Sequence, residues 1–104
     1  MHIGGGPNDA ATKAPFAAAI DAKADDVRRC YAKLVSPAAG TFGLDLMIPT
    51  EGGHPAVSNV RTALPGDAFR ACVIAVFESI DFAHPKHGRT KLSYALHLGP
   101  AEQR

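Results

Sequence analysis

The sequence has little excess charge of either sign. Its 104 residues include 11 Lys and Arg against 10 Asp and Glu, a formal net charge of +1. This balance removes the usual electrostatic basis for binding nucleic acid or an anionic membrane, so we expect no nucleic-acid partner. No apolar run approaches the roughly 20 residues that cross a bilayer, and residues 1–15 lack the charged start and apolar core of a signal peptide. With 46% hydrophobic and 20% charged residues, we expect one soluble globular domain.

Motifs for catalysis and cofactor binding are also missing. The serines carry no nucleophile-elbow motif, and no spacing suggests a Ser/His/Asp arrangement. The glycine clusters match neither a dinucleotide-binding fingerprint nor a P-loop. Asp25 and Asp26 are adjacent, and neighbours on a helix point about 100° apart, which favours a solvated helix face. We therefore predict no catalytic residue, no cofactor and no enzyme activity.

Two of the five histidines have a spacing that metal ligands use. His84 and His87 form an HxxH pair, but Pro85 lies between them and the segment reads as a loop. A zinc site needs two more ligands, and neither cysteine is expected nearby. We predict solvated histidines and no metal; a small enzyme that uses His84 or His87 is a weaker alternative, with no activity to name.

The chain divides into three segments. Residues 1–14 are rich in Gly, Ala and Pro and are predicted to be a mobile linker. Residues 15–99 form the predicted domain, and residues 100–104 a short tail. Apolar side chains that recur every three to four residues predict an amphipathic helix of about five turns over residues 15–34. Pro15 is an early helical residue, and Ser36-Pro37 ends the helix.

The rest of the domain alternates between strand and helix patterns. A period of two predicts strands over residues 41–48, 56–62 and 91–98, with a turn at 49–55 that makes the first two a hairpin. An apolar stripe over residues 69–80 predicts the second helix. Val57 and Val60 are three apart, so a bulge in the second strand would reconcile them.

The order helix, strand, strand, helix, strand predicts a two-layer α+β fold. Two helices cover one face of a three-stranded antiparallel-type sheet. If the first strand is central and antiparallel to both others, the sheet order is 2-1-3. The second and third strands are then edges.

The last strand offers an interaction surface. An exposed strand edge can accept an extended peptide, because backbone hydrogen bonds supply the affinity. A protected or dimer-paired edge is an equally open alternative. The predicted partner-binding strand comprises Lys91, Leu92, Ser93, Tyr94, Ala95, Leu96, His97 and Leu98.

The two cysteines, Cys30 and Cys72, fall on the apolar stripes of the two predicted helices. Two interpretations are open from the residues alone: buried thiols that act as small hydrophobic side chains, or a disulfide that joins the helices. A redox-active pair is disfavoured because no CxxC spacing exists.

The motifs together resemble the C-terminal domain of the AgmX/PglI family, a branch of the TonB C-terminal-like domains. The similarity covers about residues 16–98 and comprises the order of the elements, one cysteine in each helix and several short motifs. Ala83 stands where that family usually has proline. The matching segments are Val27–Tyr31, Gly40–Ile48, Gly52–Val57, Thr62–Leu64, Phe69–Val73 and Phe82–Pro85.

The resemblance implies a location, a pairing and a function. It favours a Cys30–Cys72 disulfide, and hence an oxidising compartment such as the periplasm. Such domains are tethered to the inner membrane by an upstream helix, and TonB pairs its last strand with an extended segment of an outer-membrane transporter. The AgmX/PglI branch is associated with gliding motility. We therefore expect a non-catalytic periplasmic domain that binds an outer-membrane or periplasmic protein segment; the alternative is a structural homodimerisation module without energy coupling.

Overall fold

The computed structural model describes residues 1–5, 7–34 and 38–99. These residues form a small α+β fold whose four strands make one antiparallel sheet in the order β1-β4-β2-β3. In chain order the elements are β1 His2–Gly4, α1 Ala10–Asp21, α2 Ala24–Tyr31, β2 Gly40–Ile48, β3 Ala56–Thr62, α3 Asp67–Glu78 and β4 Thr90–Leu98.

The predicted three-stranded sheet is corrected to four strands. The three predicted strands keep β2 in the centre, antiparallel to β3 and β4. The fourth strand, β1, pairs with β4 on its other side, so Ile3 lies opposite Leu92. The last strand is therefore an internal strand along part of its length, and β1 and β3 are the outermost strands.

Strand β1 arises in the segment that was expected to be a mobile linker. Ile3 is only 4% exposed and joins the core. Its N–H donates to Asn8 Oδ1 at 2.7 Å, and Asn8 Nδ2 donates to the Ile3 carbonyl at 2.9 Å. The composition of this N-terminal segment alone indicates mobility. The burial of Ile3 and its two hydrogen bonds with Asn8 hold it in a defined structure.

The long first helix is corrected to two shorter helices. Helix α1 begins five residues before Pro15, at Ala10, and Asp9 caps it by accepting from the Thr12 N–H. The helical hydrogen bonding tightens where Lys23 N–H donates to the Ile20 carbonyl, and α2 begins at Ala24. The predicted helix end at Ser36-Pro37 and the predicted tail at 100–104 lie outside the described residues.

The core lies between the sheet and the helices. Alternate residues of β2, from Phe42 to Ile48, are fully buried. Phe69 of α3 packs its ring edge against Phe42, with ring centroids 5.8 Å apart. Helix α1 adds Phe16 and Ile20 to the same cluster, so all three helices share one apolar core with the sheet.

The predicted bulge is present in β3. Gly43 pairs with Arg61, but Asp45 pairs with Ser58, so β3 advances three residues while β2 advances two. Asn59 lies in the extra stretch and has a φ of 52°. The bulge allows Val57 and Val60 both to pack against the core.

A glycine at the hairpin turn positions the loop before β4. Gly53 and Phe82 exchange two backbone hydrogen bonds, of 2.8 and 3.0 Å. Gly52 has a φ of 83°, and a Cβ there would lie 2.6 Å from the Phe82 carbonyl oxygen. Only glycine allows this close approach, and it holds the 82–90 loop against the turn.

Candidate functional site: the outer edge of strand β4

Strand β4 is covered by β1 along only part of its outer side. The register pairs His2 with Ser93 and Gly4 with Lys91, and it extends no further towards the C-terminal end of β4. On its other side β4 pairs with β2 over its full length, from Thr90 to Leu98. In residues 1–5, 7–34 and 38–99, no strand covers the outer side of Tyr94–Leu98, which we call the open edge.

The hydrogen bonds of Ile3 show which backbone groups the open edge presents. Ile3 directs its N–H and carbonyl towards Asn8, away from β4. In an antiparallel ladder hydrogen-bonded and non-bonded pairs alternate, so Lys91 and Ser93 are the β4 residues whose backbone groups face β1. The same alternation directs the N–H and carbonyl groups of Ala95 and His97 outward.

Residues between these outward groups are fixed to the sheet instead. Tyr94 and Leu96 pair with Leu44 and Phe42 of β2, and the alternation directs their backbone groups towards that strand. The open edge therefore offers four backbone hydrogen-bonding groups, from Ala95 and His97, on a strand that is paired with β2 over its full length.

Side chains at the open edge differ between the two faces of the sheet. On the helix side, Tyr94 and Leu96 are half-buried and pack against the core. The Tyr94 ring lies 5.9 Å from that of Phe77. On the other side, Ala95 and His97 are exposed. An added strand would thus find apolar contacts on one face and little obstruction on the other.

Tyr94 keeps its proton at neutral pH. Burial, and secondarily the negative charge of Asp21, raise the pKa of its hydroxyl above the ordinary value. The side chain at the open edge is therefore a neutral aromatic group with a polar tip.

A buried carboxylate on the sheet face away from the core fastens the three longer strands. Asp45 of β2 is 5% exposed. It accepts hydrogen bonds from Asn59 Nδ2 at 3.1 Å and Arg61 Nη1 at 3.2 Å, both from β3. Lys91 Nζ of β4 lies 3.8 Å from Asp45 Oδ2, the oxygen that also accepts from Asn59.

The surroundings of Asp45 favour its charged form. Burial alone would raise the pKa, but hydrogen bonds from Asn59 and Ser93 lower it. The hydrogen bond and positive charge of Arg61 act in the same direction, so the pKa of Asp45 lies below its ordinary value. Asp45 was not singled out from the sequence, where it was one outward position of an alternating strand; its polarity between apolar neighbours was the available signal.

The disulfide between Cys30 and Cys72 is present and joins α2 to α3. Their Cα atoms are 5.6 Å apart, and the residues are 42 positions apart in the chain. Cys30 is fully buried and Cys72 is partly buried. The bridge fixes two of the helices that cover the sheet.

His84 and His87 lie in the loop before β4, where they line a cavity. Both are exposed, as expected for loop histidines. Within the described ranges, no three His, Cys, Asp or Glu side chains are grouped so that they could hold a metal ion.

Comparison with protein-family models, curated proteins and solved structures found no match for this chain. Among the helices of the described residues, none has the length and apolar character required to cross a membrane.

Proposed function

We propose that this domain is a non-catalytic interaction module of the bacterial cell envelope. It binds an extended segment of an outer-membrane or periplasmic protein as an additional strand beside β4. The observation that carries this proposal is the open edge, where Ala95 and His97 direct backbone groups outward between the half-buried side chains of Tyr94 and Leu96.

Strand β1 limits the length of the added segment. Because the register places Met1 opposite Tyr94, a partner strand in line with β1 has room opposite Ala95–Leu98, about four residues. A longer pairing requires β1 to leave β4. With three residues and one buried side chain, β1 is the most weakly fastened strand of the sheet.

The location rests on the disulfide and on the sequence resemblance. The Cys30–Cys72 bridge supports an oxidising compartment, and the periplasm is the bacterial one. The similarity to the AgmX/PglI branch of TonB C-terminal-like domains supports a role in an energy-transducing or gliding-motility complex. In that role an upstream anchor tethers the full-length protein to the inner membrane.

A proline at position 95 tests the strand addition. Ala95→Pro removes an outward N–H while the ladder with β2 stays intact, because proline is tolerated where the N–H of an edge strand faces solvent. The probe is a peptide selected from a displayed random library for binding to the wild-type domain. We expect Ala95→Pro to weaken the binding of this peptide about tenfold or more.

Ala95→Val is the matched control, since it changes the same side chain and keeps the N–H. It should bind the peptide as the wild type does. Circular dichroism and urea unfolding confirm that both variants fold. Equal affinity of a folded Ala95→Pro variant and the wild type would overturn the proposal.

A second candidate function is homodimerisation through the same edge. Ala95 and His97 lie symmetrically about Leu96, so two copies of β4 can pair antiparallel with Leu96 on the two-fold axis. Ala95 of one copy then faces His97 of the other, and both are hydrogen-bonded pairs. This arrangement is compatible with a homodimer through the open edge, which would be a structural module without energy coupling.

Light scattering over a concentration series separates the two functions. A dimer of constant mass that becomes a monomer on Ala95→Pro substitution supports the homodimer. A monomer at all concentrations that still binds the selected peptide supports partner binding.

A further inference from the structure

A cavity lies beside β1, away from the open edge. Its volume is about 380 Å³, within the size range of small-molecule sites. Three parts of the chain contribute lining residues: Ile3–Gly5 with Pro7, the first turns of α1, and the loop 82–90.

The inner part of the cavity is apolar. Ile3, Phe16 and Phe82 line it and are each less than 10% exposed. The rings of Phe16 and Phe82 lie 6.0 Å apart in a tilted arrangement. Pro15 and Pro85 add further apolar surface. An apolar group in this space would be removed from water on several sides.

The loop side of the cavity is basic. Lys86 and Arg89 carry positive charge at neutral pH, and His84 and His87 lie beside them. Among the described residues that line the cavity, none is Asp or Glu. None of the ion pairs within residues 1–5, 7–34 and 38–99 involves Lys86 or Arg89.

This concentration of positive charge is local, because the whole chain has a formal net charge of only +1. Placed at the mouth of an apolar cavity, it complements a ligand with an apolar body and one anionic end. We infer that the cavity binds a small amphipathic monoanion, such as a medium-chain carboxylate. This site is separate from the proposed strand-binding edge and does not depend on that function.

Isothermal titration calorimetry with decanoate tests the assignment. Decanoate below its micelle concentration should bind with a stoichiometry of one, and decanol, which lacks the charge, should bind about tenfold more weakly. Inorganic phosphate, which lacks the apolar body, should give no measurable binding. Lack of decanoate binding at millimolar concentration would overturn the inference.

Charge variants test whether Lys86 and Arg89 bind the anionic end of the ligand. The double variant Lys86→Gln, Arg89→Gln should weaken the binding of decanoate about tenfold and leave the affinity for decanol unchanged. The matched control, Lys33→Gln with Arg70→Gln, neutralises two exposed cations that do not line the cavity and should bind decanoate as the wild type does. Equal losses in the two double variants would show a non-specific charge effect and contradict the site.

A bulky side chain tests the cavity itself. Ala83 is exposed and lines the cavity, so Ala83→Trp should block both decanoate and decanol while the core stays intact. Ala11→Phe fills the space from the opposite wall and provides an independent variant. Unchanged binding in either folded variant would place the ligand elsewhere and overturn the inference.

Discussion

Asn8 holds both backbone polar groups of Ile3. Its Oδ1 accepts from the Ile3 N–H at 2.7 Å, and its Nδ2 donates to the Ile3 carbonyl at 2.9 Å. This contact substitutes for a further strand on the outside of β1, since it satisfies groups that would otherwise face solvent. The direction of these groups is also consistent with the alternation by which Ala95 and His97 face outward on β4.

The first prediction concerns this contact. Asn8→Ala should loosen β1, because it removes two hydrogen bonds worth about 1–3 kcal/mol together. Amide hydrogen exchange of Lys91 and Ser93, which face β1, should accelerate, and that of Tyr94 and Leu96 should not change. Asn8→Asp keeps the acceptor for the Ile3 N–H and should show an intermediate effect; equal exchange in all three proteins would contradict this account of β1.

The second prediction concerns the disulfide. The double variant Cys30→Ala, Cys72→Ala should unfold at a lower urea concentration. Its free energy of unfolding should fall by about 4 kcal/mol, because the unfolded chain is no longer cross-linked. Intact mass after alkylation of the denatured wild type should show two labelled cysteines only after reduction. Labelling without reduction would show that the disulfide is absent, and the proposal of an oxidising compartment would lose its main support.

The third prediction compares two neighbouring glycines. Gly53→Ala should cost about 1–2 kcal/mol, because a side chain at its φ of 98° is strained although nothing lies within 4 Å of the new Cβ. Gly52→Ala adds the contact with the Phe82 carbonyl and should cost about 3 kcal/mol or more. Urea unfolding measures both, and equal costs would show that the close approach between the turn and the loop is absent.

The sequence predicts most of this fold because its main strands and helices carry clear periodicity. Alternation identifies β2 and β4, and the two valines of β3 reveal its bulge. The break at Lys23 was missed because the apolar period continues through it from α1 into α2. Strand β1 was missed because three residues are too few for a pattern and it is stabilised by partners distant in sequence.

The candidate site could be predicted only in part, because it also depends on contacts between residues distant in sequence. The choice of β4 as an exposed strand follows from its position at the end of the predicted order. The open edge is limited to Tyr94–Leu98 because β1 covers the rest of β4. This pairing joins residues distant in sequence, and local patterns do not encode it. The cavity likewise requires Ile3, Phe16 and Phe82 to meet, and no spacing in the sequence indicates this.

The fourth prediction concerns pH and Asp45. Its folded-state pKa is lowered below an unfolded value of about 3.9. Its contribution is therefore fully present above that value and is lost as the pH falls through the lowered folded-state pKa. Asp45→Asn should cost about 1–2 kcal/mol at pH 7. The difference in unfolding free energy between wild type and variant should shrink below about pH 4, and a pH-independent difference would contradict the charged state of Asp45.

The central claim is that β4 has an open edge which binds an added strand. Amide hydrogen exchange of residues 94–97, resolved by NMR in a dilute monomer and again with the selected peptide, tests it most directly. We predict slow exchange at Tyr94 and Leu96 in both samples, and at Ala95 and His97 fast exchange that becomes slow only when the peptide binds. Slow exchange at Ala95 and His97 in the free monomer, or fast exchange at both with the peptide bound, would contradict the account.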